Sequence, residues 1–222
     1  MLRLWYTEQT KTGKAGENME AWMQQALDGM RQNGFEVIEV RTAQEARDTL
    51  LSAIGAEQSV GVGGSVSVRD IGMLQALEEK GCKVYQHWGV APDVAAEMIE
   101  KARKADVYLC SANAVTKTGE LVFIDGKGNR VGAICDGPRE LYFVISHSKV
   151  VDGGLNTAVA RIKKTACPQN CRRLGIDTLC AREGRCAGKA CDKSICRLTL
   201  VLDRVPNGRK VTVIFVEEAL GY

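Results

Sequence analysis

QSVGVGGSVSVRDIG, residues 58–72, passes from a short apolar run through a glycine-serine turn into a helix-like segment. A buried strand running straight into a tight turn and a helix is the opening of a βαβ unit, so this stretch decides the fold class. Gly63 and Gly64 allow a tight turn with exposed amides, because glycine tolerates conformations that a β-carbon forbids. Ser67 stands three residues before Asp70, the spacing of a capping box, which predicts a helix starting near Val68. Exposed amides beside a helix N-terminus favour phosphate or carboxylate, and Ser65 adds a hydroxyl, so Gly63, Gly64, Ser65 and Ser67 are the loop's ligand-binding candidates. The same residues would also serve as a plain strand-to-helix turn. The specific nucleotide and nucleophile motifs are absent: Val66 occupies the third glycine of GxGxxG, no GxxxxGK[ST] occurs, and GGSVS lacks the last glycine of GxSxG.

The alternation extends both ways. ENMEAWMQQALDGMRQNG (17–34) reads as a helix ending at Asn33-Gly34, and FEVIEV (35–40) as a strand. TAQEARDTLLSAIG (42–55) opens on a Thr42/Glu45 capping box. Downstream come RDIGMLQALEEKG as helix, CKVYQHW as strand, APDVAAEMIEKARKA as helix with Pro92 in its first turn, and DVYLCSA as strand. Strands alternating with helices predict an α/β fold with a mostly parallel sheet. From residue 113 the pattern changes to short β-prone runs joined by Lys-Thr-Gly and Asp-Gly-Lys-Gly-Asn, an inserted hairpin element. ELYFVISHSKVV is a further strand, a basic amphipathic helix follows over about 155–174, and residues 197–222 read as a hairpin around Pro206-Asn207-Gly208 at an edge of the main sheet.

With 222 residues, 45% hydrophobic, the chain suits one large domain with a small appendage. A net charge of +3 and 5% aromatics give no nucleic-acid footprint. No apolar stretch approaches a membrane span and the N-terminus lacks a signal-peptide pattern, so the expected location is the cytoplasm.

SANAVTKTGELVFIDGKGNRVGAICDGP (111–138) lies where parallel sheets bind ligands, beyond a strand's C-terminal end. Asn113, Thr116, Asp125, Gly128, Asn129 and Arg130 gather at its turns. Each is also an ordinary turn residue, except that an Arg130 guanidinium between a turn and a strand can clamp an anion through two hydrogen bonds. Glu120 is the carboxylate nearest the expected site, although an isolated acid in a turn reads more readily as surface. His87 and His147 have no Cys or Ser partner at an obvious sequence distance.

Six of the nine cysteines, Cys167, Cys171, Cys180, Cys186, Cys191 and Cys196, fall within thirty residues that have little apolar periodicity. In a cytoplasmic chain, soft donors at this density predict zinc or an iron-sulphur cluster more readily than disulfides. The spacing is too wide for CxxC knuckles or the ferredoxin run, so the ligand subset stays open, as does the reading of buried free thiols. Cys82, Cys110 and Cys135 lie in apolar runs and are expected in the core.

The glycine-serine loop, the block NA-T-TGEL-IDG-GNRV, NCRRLGIDTLCAREGRC and ICRLTLVLDRVPNGRKVTVIFVEE together resemble the LUD-domain (lactate utilisation) family over roughly residues 17–218. The resemblance implies a three-layer α/β/α sandwich like that of ribose-phosphate isomerases and CoA transferases, with the loop and hairpin facing one ligand site. It implies a subunit or partner of an iron-sulphur system oxidising L-lactate, and a small anionic metabolite as ligand at Gly63, Gly64, Ser65, Asn113, Thr116, Asp125, Gly128, Asn129 and Arg130. No flavin or nicotinamide motif is present. An acyl or CoA transferase, a sugar-phosphate isomerase and a non-enzymatic redox or metal sensor are the alternatives. Lys117 stands where an acid is expected, and Lys189 where relatives often carry a cysteine. The expected organisation is an extension at 1–16, an α/β domain at 17–166, a Cys-rich segment at 167–196 and the closing hairpin at 197–222.

Overall fold

The computed structural model describes residues 21–222; the expected extension at 1–16 lies outside them. Strands β1 (Glu36–Val40), β2 (Ser59–Val62), β3 (Lys83–Tyr85), β4 (Val107–Cys110), β7 (Glu140–Ser146) and β9 (Lys210–Val216) form one parallel sheet in the order β1-β9-β7-β4-β2-β3. Between β4 and β7 the chain makes β5 (Ala114–Val115) and β6 (Leu121–Asp125), an antiparallel hairpin that β8 (Leu198–Leu202) extends to three strands.

Period-two alternation sorts the central strands onto two cores. Leu141, Phe143 and Ile145 of β7 face one side with Tyr108 and Cys110 of β4. There they meet helices α1 (Ala21–Gln32), α5 (Pro92–Arg103) and α6 (Asn129–Asp136), together with Phe123 of the small sheet. Tyr142 and Val144 face the other side, against α2 (Ala43–Ala53), α3 (Val66–Asp70) and α4 (Met73–Lys80). The result is a three-layer α/β/α sandwich. A third cluster packs Ala114 and Val122 against α7 (Leu155–Arg161) and a π turn (Ile162–Ala166) that runs on into α8 (Cys167–Arg173).

Several local expectations change. The C-terminal segment is not a hairpin: β8 belongs to the small sheet, while β9 is an interior strand of the large one, between β1 and β7 and parallel to both. Its run VTVIFV is buried along its whole length, as a strand covered on both faces must be. Ser65, not Ser67, caps the helix after the glycine loop, accepting from the Val68 N–H, and that helix breaks at Gly72 before α4. Residues 129–136 are helix α6 rather than strand, which leaves Cys135 exposed instead of in the core. Thr42 caps α2 as expected, but Glu45 reaches back to the Arg41 N–H, one residue earlier than a capping box would.

Candidate functional site

The C-terminal ends of β2, β3, β4 and β7 all open on one cavity of about 550 Å³. β3 and β4 leave β2 in opposite directions, and such a reversal of strand order opens a crevice at the strand ends. Gly64, Ser65 and Ser67 come from the turn after β2, His87 and Trp88 from after β3, Ser111 and Asn113 from after β4, and Lys149 from the turn after β7. Asp125, Asn129 and Arg130 come from the hairpin and α6, while Asn170, Arg173 and Tyr222 close the far wall.

Arg130 does not hold out a free guanidinium. Its Nε and one terminal nitrogen donate to Asp125 Oδ1, at 3.0 and 2.6 Å. The remaining donors engage the Ser111 carbonyl, Asn113 Oδ1 and the Ile124 carbonyl. Asp125 also accepts from the Val131 N–H, and both partners are over nine-tenths buried. The pair therefore fixes the hairpin against the end of β4 and cancels its own charge.

Lys149, which sequence reading missed, lines the same cavity without an ion-pair partner among the described residues. Its Nζ donates to Ser67 Oγ at 2.7 Å and Ser111 Oγ at 2.8 Å, tying the turns after β2, β4 and β7 together. Burial, reinforced by Arg161 and Arg130, pulls its pKa down to about 7. A β-carbon at Gly221 would stand 2.4 Å from Ser67 Oγ and 3.2 Å from the Lys149 nitrogen, and Gly221 also has φ +61°, so only glycine lets the tail pass here. Lys149 stands just past a strong parallel strand, the position that strand-end reasoning would single out.

At the rim, Arg69 and Arg173 stack on Trp88 at 4.2 and 4.0 Å, and Arg173 donates to the Tyr222 hydroxyl. Burial, with Lys127, Arg69 and Arg173 nearby, lowers the His87 pKa and favours the neutral imidazole.

Of the residues expected from sequence, Gly64, Ser65, Ser67, Asn113, Asp125, Asn129 and Arg130 line the cavity; Gly63, Thr116, Gly128 and Glu120 do not. Gly63 keeps its sheet hydrogen bond to the Leu109 carbonyl, has no positive φ, and is required by space: a β-carbon would come within 2.9 Å of the Tyr108 hydroxyl. Glu120 accepts from Thr116 and Thr118 inside its own turn. Lys117 pairs with Asp152 at 2.8 Å, also away from the cavity.

All six clustered cysteines line a second, much smaller cavity of about 20 Å³, with Lys163 beside them and α9 (Leu179–Glu183) along one side. Cys167 and Cys196 line both cavities, with their sulphurs 3.3 Å apart. Hydrogen bonding with Cys167, then the Lys163 ammonium, brings Cys196 down to about 6, whereas Cys167 is pushed up. The donor set suits a soft metal. Among the described residues, however, no three His, Cys, Asp or Glu side chains are already arranged to hold one, so binding would require some of these cysteines to draw closer together.

A profile of the LUD domain matches residues 23–216. The chain belongs to the LUD-domain family. Among solved structures it is similar to a DUF162 family protein from Deinococcus radiodurans, with 13% identity, a TM-score of 0.49 and coverage of 88% of this chain and 96% of that one. No curated protein matches this LUD-domain chain. Among its described residues no helix is long and apolar enough to cross a membrane.

Proposed function

We propose that this LUD-domain protein binds a small carboxylate, a 2-hydroxy acid or its 2-oxo counterpart, at the strand-end cavity. In this reading it takes part in L-lactate utilisation alongside an iron-sulphur oxidoreductase. Charge balance among the side chains of the cavity wall carries the reading: the single carboxylate side chain there, Asp125, is neutralised by Arg130. Lys127, Lys149 and Arg173 form no ion pair among the described residues. An anion entering the cavity therefore meets uncompensated positive charge, together with the hydroxyls of Ser65, Ser67 and Ser111. A transferase built on Glu120 draws no support from this geometry, because that carboxylate is engaged outside the cavity.

Oxidising a 2-hydroxy acid releases two electrons and two protons, and the sequence offers no flavin or nicotinamide site to accept them. The cysteines facing the small cavity, Cys167 and Cys196 foremost, are the residues that would hold zinc or an iron-sulphur cluster, the latter giving electrons a way out. Iron, zinc and acid-labile sulphide in anaerobically purified protein measure that part directly.

Calorimetric titration with L-lactate, pyruvate and the neutral isostere lactamide tests the anion site. Lactate or pyruvate should bind and lactamide should not, with at least a roughly tenfold loss of affinity in Lys149→Met, the effect of removing one charge-assisted hydrogen bond. Equal binding of lactamide would sink the reading.

A further inference from the structure

Lys149 is unusual among the cations of the cavity. It is 3% exposed, its nitrogen touches two neutral hydroxyls, and no carboxylate lies within ion-pair distance among the described residues. A lysine kept only to hold the turns together would be expected to have a carboxylate partner, since an isolated buried ammonium is costly. The charged groups acting on it are Arg161 and Arg130, which oppose its protonation, and Asp70 and Cys110, which favour it more weakly. Burial first, then the opposing pair, brings its pKa down to about 7, so the free amine is within reach near neutral pH, and a free amine is a nucleophile toward carbonyl carbon.

We infer that Lys149 is a covalent-capture residue that condenses with the carbonyl of a 2-oxo acid seated in this cavity. The inference rests on the carboxylate reading above and deepens it. The nitrogen lone pair attacks the carbonyl carbon, and a proton passes from nitrogen to the former carbonyl oxygen to give a carbinolamine. The hydroxyl then takes up one further proton from solvent and leaves as water, and an iminium that keeps the second amine hydrogen remains. No electrons are exchanged and no co-reactant is needed.

The wall supplies what each stage requires. Ser67 and Ser111, held against the nitrogen, can accept its departing proton and return one to the leaving hydroxyl. No carboxylate forms an ion pair with this nitrogen among the described residues, Asp70 acting only weakly from further off, and a 2-oxo acid brings its own on the adjacent carbon. That complementarity selects the 2-oxo acid over a simple aldehyde or ketone.

The test is borohydride trapping on the intact protein. Protein incubated with pyruvate and sodium borohydride should gain the mass of the acid less water plus two hydrogens, and peptide mapping should place it on Lys149. L-lactate, which has no carbonyl, should give no adduct, and acetone should give far less than pyruvate. Trapping should speed up as pH rises through about 7, where the amine loses its proton. Ser111→Ala should slow trapping while leaving the adduct on the same residue, and Lys149→Met should abolish it. Because the mapping is done on the unaltered protein, a misfolded variant cannot decide the outcome. Pyruvate that binds by calorimetry yet is never trapped on Lys149 would overturn the capture step and leave the anion site standing. Absence of both binding and trapping would remove the two together.

Discussion

The floor of the large cavity and the thiol wall beside it are made of different materials. The floor is assembled from the ends of four parallel strands and closed by bonds between residues far apart in sequence: Lys149 to Ser67, Lys149 to Ser111, Arg130 to Ser111 and Arg161 to Asn113. The thiol wall borrows its firm side, Cys167 and Cys171, from α8. Its other side is the loop through Cys186 and Cys191, where a short 3₁₀ turn (Gly188–Ala190) is the only regular structure and no residue belongs to a hydrophobic cluster. Preorganised donors suit a ligand that must be oriented, whereas adaptable soft donors suit a group that organises its own surroundings.

That contrast can be broken most directly at Arg130. Replacing it with Met leaves Asp125 buried and unpaired, so unfolding free energy should fall by roughly 3–5 kcal/mol in denaturant titrations. A loss below about 1 kcal/mol would show that the floor is far less rigid than its bonding indicates.

The next effect is pH-dependent. Lys149 has a folded pKa of about 7 against 10.5 when free, so between those values the unfolded chain binds more protons than the folded one. Stability of the wild type should therefore rise with pH across that window relative to Lys149→Met, by at most about 1.4 kcal/mol per pH unit, and the difference should be level below it. A difference that stays flat throughout would mean the nitrogen is not shielded from water.

The smallest effect belongs to the loop. Cys186→Ser on metal-free protein should change unfolding free energy by no more than about 0.5 kcal/mol, because the side chain is exposed. The same substitution should lower zinc or iron content if Cys186 is a ligand, which separates the two roles of the segment.

What could be read in advance follows the range of the interactions involved. The run from β1 to β4 was legible because each strand and helix carries its own local signals, such as Thr42 at a cap and Pro92 in a first turn. The place of β9 was not, since a strand's order in a sheet depends on partners remote in sequence, here Glu140 opposite Lys210 and Glu36 opposite Thr212, and Asn207-Gly208 invited a hairpin that β6 outcompeted for β8. Among site residues, sequence showed the charge of Arg130 but not the carboxylate that consumes it. Lys149, in SHSKVV, has only its place just past a strong strand to mark it in the sequence, and its weight shows when three strand ends converge on its nitrogen.

The position of β9 also governs how the chain can be made. β1 joins the large sheet through β9 alone, so the earliest described strand must wait for residues 210–216 to emerge from the ribosome. Until then β1 and β7 both have an unpaired edge, the kind of surface that chaperones guard. Translation that stalls or stops shortly before residue 210 would leave a nascent product without the strand that joins β1 to the rest of its sheet, with its described helices already made.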